Sequence, residues 1–387
     1  MQNVHSLATR RVAVVHEWMA SYAGSERVLE QILHLFPDAD LYSVADFLSN
    51  ADRVFLGGRV PRTSFVQRLP GAARRYRKYL PLMPLAVEGF DLSEYDLVIS
   101  SSHSVAKGVL TRPGQLHVCY CHSPIRYAWD LQHEYLSGAG MHKGFRRAFA
   151  RLMLHYMRLW DVRTSPGVDH FICNSKFVAN RVWKVYRRES AVVYPPVDTE
   201  YFTPSGSREE FYFTCSRLVP YKRVDCIIEA FARMPDRKLV VAGDGPLLKQ
   251  CQRAATSNVR VLGYQSTESI RDLMRRAKAF VFAAEEDFGI IVAEAQACGT
   301  PVICYSRGGS SEIVSSPDTG VLFSDKSPSA LADAVREFER DERRFDTVRI
   351  RSSAERFSRA AFRTAFSRSI DEYILGSRNI TRSGISR

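Results

Sequence analysis

Short apolar runs alternate with stretches of helical periodicity along most of the chain. The first run, residues 11–16, is followed by a loop ending at Gly24 and then by residues 25–36, where Val28, Leu29, Ile32, Leu33 and Phe36 recur at helical spacing. This predicts a β-loop-α unit with glycine at the loop–helix junction and Ser25 as N-cap. Further strands are predicted at residues 97–100, 117–121 and 170–173. A second, similar series follows at 211–215, 238–242, 259–262, 279–283, 301–304 and 320–323, with helices at 224–234 and 270–277 among its connections. Short apolar strands separated by helices imply parallel sheets covered on both faces, so the fold class is α/β.

Between the two series stands Tyr194-Pro195-Pro196-Val197-Asp198. Consecutive prolines exclude a helix and stiffen the chain, which suits a linker. At 387 residues the chain is about twice a usual single domain. The predicted organisation is a Rossmann-like domain over 1–196, a second over 197–365, and a C-terminal helix with a loose tail over 366–387.

Hydrophobic residues make up 45% and charged residues 25%, ordinary values for a globular protein. No run approaches the roughly 18 to 20 apolar residues of a membrane-spanning helix, and the apolar run after the polar, basic residues 1–11 is too short for a signal peptide. The expected location is the cytoplasm, with attachment to the inner face of the cell membrane and no crossing of it. The eight cysteines form neither CxxC pairs nor a Cys/His cluster, so buried thiols are expected.

Charge changes the picture more. The net charge is +12; through Pro196, 25 Lys and Arg face 16 Asp and Glu, and beyond it 29 face 26. No zinc finger, RNA-recognition signature or aromatic-basic strand pattern supports nucleic acid, so an anionic membrane surface is the expected partner. Over residues 141–160, Phe145, Phe149, Leu152, Tyr156, Leu159 and Trp160 make an apolar stripe, with Lys143, Arg147, Arg151, His155 and Arg158 on the other side. Such a helix can lie in a membrane interface or pack on the core. Arg74-Arg75-Tyr76-Arg77-Lys78-Tyr79 reads either as a grip for lipid phosphates or as a mobile loop.

The strongest chemical signal is Glu286-Asp287-Phe288-Gly289-Ile290-Ile291-Val292-Ala293-Glu294, after the strand at 279–283 and before Ala295-Gln296-Ala297-Cys298-Gly299-Thr300-Pro301-Val302. A helix starting near Phe288 or Gly289 presents free backbone N–H groups and its positive dipole end to an anionic diphosphate, and glycine allows close approach. Glu286 can then accept a hydroxyl from a sugar and Glu294 one from a ribose. Taken singly, each glutamate reads as a surface charge; the whole run reads as a ligand site.

At these residues the sequence resembles glycosyltransferase family 4, the retaining GT-B enzymes, whose two Rossmann-like domains face one another across a central cleft. The E-x7-E run matches the family signature, implying donor contacts at Glu286, Phe288, Gly289, Ile290 and Glu294. Thr214-Cys215-Ser216-Arg217-Leu218-Val219-Pro220-Tyr221-Lys222 resembles the segment whose Arg and Lys hold the donor diphosphate, implying that role for Arg217 and Lys222. Val241-Ala242-Gly243-Asp244-Gly245-Pro246-Leu247, Gly308-Gly309-Ser310-Ser311-Glu312-Ile313-Val314 and Thr319-Gly320-Val321-Leu322-Phe323 also fit, as support for the fold. Tyr22-Ala23-Gly24-Ser25-Glu26 resembles the glycine loop near the donor phosphates, with Ala-Gly where Gly-Gly is usual, and implies a contact at Gly24.

Residues 101–108 and Tyr120-Cys121-His122-Ser123-Pro124-Ile125-Arg126-Tyr127, with Asn174-Ser175-Lys176, are similar to the subgroup of bacterial O-antigen and exopolysaccharide mannosyltransferases. The likeness implies that His122 contacts the donor sugar near its 6-hydroxyl, so that His122, Glu286, Arg217 and Lys222 are the catalytic candidates. His103, Lys107 and Arg126 are even candidates for acceptor or phosphate contacts. The implied partners are a nucleotide-diphosphate sugar, GDP-mannose with UDP-sugars left open, and a polyprenyl-diphosphate-linked glycan. No cofactor or metal is expected: no Asp-x-Asp motif is positioned to hold one. A sugar-nucleotide epimerase, a sucrose-type synthase, a phosphorylase and a non-catalytic membrane scaffold stand as alternatives.

Overall fold

The computed structural model describes residues 10–138 and 144–383. The chain forms two compact units, one of residues 1–196 with 362–387 and the other of residues 197–361. In the first unit seven parallel strands run β1 (Val12–Met19), β2 (Asp40–Asp46), β3 (Arg62–Thr63), β4 (Leu97–Ser102), β5 (Leu116–Cys121), β6 (His170–Cys173) and β7 (Ser190–Val192), in the order β3-β2-β1-β4-β5-β6-β7. The apolar runs of β1, β4 and β5 are buried almost without a break, as a sheet covered on both faces requires. The predicted strands are present, and β2, β3 and β7 are additional. Ser43 and the terminal aspartates hide β2, and β3 and β7 have only two and three residues.

The helix expected from Ser25 starts one residue earlier, at Gly24, and runs to Leu35. Ser25 does not cap it. Its hydroxyl donates to Glu26 Oε2 (3.0 Å), and that oxygen also accepts the Ala23 N–H (3.1 Å), so Glu26 closes the first turn.

The second unit holds β8 (Phe211–Cys215), β9 (Lys238–Ala242), β10 (Val259–Gly263), β11 (Ala279–Phe282), β12 (Val302–Tyr305) and β13 (Gly320–Phe323), all parallel, in the order β10-β9-β8-β11-β12-β13. That is the strand order of a doubly wound dinucleotide-binding sheet, whose direction of winding reverses between β8 and β11.

The C-terminal segment departs from expectation. The helix begins at Arg359, before residue 366, and continues to Ser383, so the described part of the expected tail is helical; residues 384–387 lie outside the described set. Phe362, Phe366, Ile370 and Ile374, spaced four apart, enter the core of the first unit with Val14, Leu29, Ile99 and Tyr120. The spacing puts them on one helical stripe, and burial of that stripe returns the chain to the first unit.

The helix expected over 141–160 is observed as Phe145–Thr164; residues 141–143 lie outside the described set. Its predicted stripe divides. Trp160 is buried, together with Met157 from outside the stripe, whereas Phe145, Phe149, Leu152, Tyr156 and Leu159 are exposed, Phe145 by 84%. The 74–79 cluster is helical: Tyr76 is buried against Trp18 and Phe47, while Arg74, Arg75, Arg77 and Lys78 point outward. Among the described residues no helix is long and apolar enough to cross a membrane. All eight cysteines are buried and free.

Candidate active site

In the second unit, the loops leaving β8 and β11 carry the strongest sequence candidates. These two neighbouring strands flank the point where winding reverses, which is where open α/β sheets bind ligands. Lys222, in the turn Pro220–Lys222, places Nζ 2.8 Å from Glu286 Oε1, with both side chains more than four-fifths covered. Oε1 receives no well-directed hydrogen bond, so the pair is held by charge and the carboxylate oxygen keeps its acceptor capacity. Arg217 is exposed on the same loop.

Close backbone packing fixes these loops. A Cβ on Gly243 would stand 1.9 Å from the carbonyl oxygen of Ser216, and one on Gly245 2.5 Å from that of Leu218. Only glycine lets the 243–245 turn lie against the Arg217 loop, where Leu218 N–H donates to Asp244 O (2.8 Å). Gly309 N–H donates to Glu286 O (2.7 Å), and a Cβ there would come 2.1 Å from Asp287 O. The two glycine motifs therefore act by positioning the loops that carry Arg217 and Glu286.

The helix after Glu286 spans Ile290–Ala297, and Gly289 precedes it with φ 91°. Its residues from Val292 to Ala297 are buried, Glu294 among them, leaving the half-buried N-terminal turn as the more accessible end. The first N–H groups of that turn have no intrahelical acceptor, which suits an anion. Burial, reinforced by Glu294 and opposed by Lys222, pushes the Cys215 thiol up to about 12. Both charged groups thus bear on the end of β8. Phe288 was expected at the donor through the motif; its ring is buried edge-on against Phe357 (5.3 Å), so it serves the core and can meet a ligand only through its backbone. Ile290 is half-buried at the first helical position.

In the first unit the corresponding edge is built by β1, β4 and β5. His122 follows β5: its N–H donates to Ser102 O (2.8 Å), its Nε2 lies 2.9 Å from Ser101 Oγ, and its carbonyl accepts from Asn174 Nδ2 (2.9 Å). Burial, then the neighbouring His103 and His16, hold its pKa well below the usual imidazole value, so the ring is neutral at pH 7. The His103 ring stands 6.5 Å from it and packs edge-on to Trp18 at 4.9 Å. Gly24 opens the helix beside this edge and is tied to β1 through Glu26, whose Oε1 is 3.4 Å from His16 Nε2. Burial alone would raise the Glu26 pKa; the His16 contact outweighs it and brings it to about 2.

Sequence reasoning missed Glu17. Fully buried, it accepts the N–H groups of His103, Ser104 and Ala106 and the Ser102 hydroxyl at Oε1, and the Val105 N–H at Oε2, all within 3.0 Å. The carboxylate organises the loop that carries His103. The available signal was an ionisable pair, His16-Glu17, inside an apolar strand.

Lys107, expected as an acceptor contact, requires correction. It is buried, with Nζ 3.0 Å from Asp161 Oδ1 and donating to Asp161 O (2.7 Å) and Thr164 Oγ1 (2.8 Å), and it stands over the Trp160 and Tyr186 rings. A buried ammonium needs this much compensation, and none of its donors is left for an acceptor. Arg126 is half-buried in the turn after His122. Among the described residues no group of three or more His, Cys, Asp or Glu is placed to hold a metal ion.

Two doubly wound units, the second with a charged pair at its switch point and a helix N-terminus beside it, have the architecture of a GT-B fold. The family profile described as Glycosyltransferase Family 4 matches residues 9–201, and that described as Glycosyl transferases group 1 matches residues 198–363. The chain belongs to glycosyltransferase family 4.

Among its relatives, an uncharacterized glycosyltransferase of Methanocaldococcus jannaschii is 29% identical over 174 residues, covering 44% of this chain and 49% of that protein. The D-inositol 3-phosphate glycosyltransferase of Mycobacterium bovis is 29% identical over 192 residues, covering 43% and 40%. The match thus spans less than half the length of either relative. Solved structures share the fold over nearly the whole chain. Sucrose-phosphate synthase of Thermosynechococcus elongatus has a TM-score of 0.72 at 15% identity, covering 95% of this chain and all of that one. HepE of Anabaena, in complex with UDP and glucose, gives 0.68 at 17%, covering 93% and 99%.

Proposed function

We propose that the protein is a retaining hexosyltransferase that moves mannose from GDP-mannose onto a polyprenyl-diphosphate-linked glycan in cell-surface polysaccharide assembly. The observation that carries the reading is the Lys222–Glu286 pair at the switch point of the second sheet, next to the open turn at Gly289. Lys222 and the exposed Arg217 take the donor diphosphate with the first N–H groups of the helix Ile290–Ala297; Glu286 and Glu294 accept hydroxyls of the sugar and the ribose. The anomeric C–O bond breaks with its electron pair leaving on the diphosphate. The acceptor hydroxyl attacks from the same face and gives its proton to the departing phosphate oxygen. Positive groups already in place at the leaving oxygen supply most of the acceleration, and the reaction calls for no resident metal.

His122, neutral and held by Ser101 and Asn174, is suited to a hydrogen bond with a sugar hydroxyl, and Gly24 to close approach by a phosphate. The choice of mannose rests on the likeness carried by residues 101–108 and 120–127. For location, the support is the exposed stripe Phe145, Phe149, Leu152, Tyr156 and Leu159, with Arg146 and Arg151 exposed on the same helix: a surface suited to the anionic inner face of the cell membrane.

Incubation with GDP-mannose and a synthetic polyprenyl-diphosphate glycan, with UDP-glucose, UDP-galactose and UDP-N-acetylglucosamine as parallel donors, tests the reading. It predicts GDP release that depends on the acceptor and an α-linked product by NMR. Acceptor-independent conversion of the sugar nucleotide would move the assignment to an epimerase, and transfer from a UDP-sugar alone would replace the donor.

A further inference from the structure

Ser310 was read from sequence as part of a fold-supporting glycine motif. Its side chain is fully buried, and its hydroxyl has no hydrogen-bond partner among the described residues. The next residue shows what a satisfied serine does here, since Ser311 Oγ donates to Gly308 O at 2.8 Å. A buried hydroxyl left without a partner is costly, and its persistence asks for an occupant that supplies one.

The position of Ser310 names that occupant. The heavy atom nearest to where a Cβ on Gly289 would stand is Ser310 Cβ, 3.2 Å away. The side chain therefore faces the turn that opens the helix Ile290–Ala297. Gly308 and Gly309 bring the segment there: Cβ atoms on them would lie 2.8 Å from Glu286 O and 2.1 Å from Asp287 O. Two independent features meet, an open helix N-terminus of eight residues and an unsatisfied buried donor against its first turn.

We infer that Ser310 is a donor-binding residue whose hydroxyl donates to a diphosphate oxygen of the nucleoside diphosphate seated at the N-terminus of helix Ile290–Ala297. The inference rests on the donor reading above and adds a side-chain contact to it. An O–H donor to a phosphate oxygen is charge-assisted, worth about a tenfold change in affinity or more. Without ligand the same hydroxyl is a liability, so its removal leaves the free protein at least as stable.

Calorimetric titration of wild type and Ser310→Ala with GDP and with UDP, beside thermal unfolding of both without ligand, separates the possibilities. The inference predicts an unfolding temperature for Ser310→Ala equal to or above wild type, with roughly tenfold weaker binding of each nucleotide that binds wild type. Unchanged affinity overturns it and leaves the donor reading standing. Weaker binding together with a lower unfolding temperature assigns the hydroxyl a structural role and also overturns it. Where GDP and UDP both bind wild type, loss confined to one would move the contact to the base. Failure of wild type to bind either nucleotide removes both the donor reading and this inference.

Discussion

Lys222 and Glu286 come from loops after two different strands, β8 and β11, and meet with Nζ 2.8 Å from Oε1. The strands are neighbours because the sheet reverses its winding between them, so the pair is a product of topology and no local segment could make it. Without donor the two charges neutralise each other in a largely covered place. On the proposed function, a bound donor replaces each partner: a phosphate for the lysine and a sugar hydroxyl for the carboxylate.

Replacing Glu17 with Gln puts an amide NH2 where backbone N–H groups now find a carboxylate. With four N–H donors and one hydroxyl converging on it, the change should destabilise the protein by about 3 kcal/mol or more in urea unfolding. Activity should fall with it, as the loop holding His103 loosens. The exposed Glu94→Gln, whose partner is Arg11, should stay near wild type. Equal stability of the two variants would refute the role given to Glu17.

His117 fixes a pH window for stability. Its Nδ1 faces Gly167 O at 3.1 Å, which can only accept, so Nδ1 carries the proton and Nε2 accepts from Ser100 Oγ at 2.8 Å. Burial lowers its pKa from 6.5 to about 4. Between those values the unfolded chain binds a proton that the folded one refuses, so stability falls as pH drops from 6.5 toward 4, by about 3 kcal/mol for this group. His122 shifts in the same direction. Denaturant titrations from pH 7.5 to 4.5 should show that slope, and His117→Gln should flatten it; a wild-type stability independent of pH in this window would contradict the neutral buried ring.

Gly243→Ala and Gly114→Ala contrast close approach with conformation alone. Both glycines have positive φ, but a Cβ on Gly243 meets the Ser216 oxygen at 1.9 Å, whereas one on Gly114 meets nothing within 4 Å. Gly114→Ala should cost about 1 kcal/mol. Gly243→Ala should cost several times as much and weaken nucleotide binding by moving the Arg217 loop. Similar melting temperatures for the two variants would argue against that packing.

The exposed stripe on the helix Phe145–Thr164 can be tested without touching the core. Phe149→Ser, Leu152→Ser and Leu159→Ser combined should leave the unfolding temperature within a few degrees of wild type, since all three side chains are exposed. Sedimentation with phosphatidylglycerol vesicles should drop by about tenfold or more through the lost apolar area. Retained vesicle binding would turn attention from this helix to the basic 74–78 surface.

The second unit was legible because its strands are short, mostly apolar runs, and its E-x7-E motif is contiguous from Glu286 to Glu294. What sequence could not supply were relationships made in three dimensions. β2 escaped because Asp40, Ser43 and Asp46 break its apolar pattern, although its neighbours bury it. Ser310 and the glycines around it looked like scaffolding, since nothing local shows that they lie against Gly289. Lys107 looked available because its partner, Asp161, lies 54 residues away on another element. Glu17 sat in a strand whose apolar neighbours drew the reading toward the core. Phe288 belongs to the motif by sequence and to the core by contact.

The most direct test of the central claim is steady-state turnover of GDP-mannose with a polyprenyl-diphosphate glycan by wild type, Lys222→Ala and Glu286→Gln, each checked for an unchanged melting temperature. The account predicts acceptor-dependent transfer by wild type and losses of about a hundred- to a thousandfold in kcat/KM for each variant, as for a preorganised group acting on transition-state charge. Activity retained within a few-fold in both folded variants would contradict the assignment of the Lys222–Glu286 pair to the reaction.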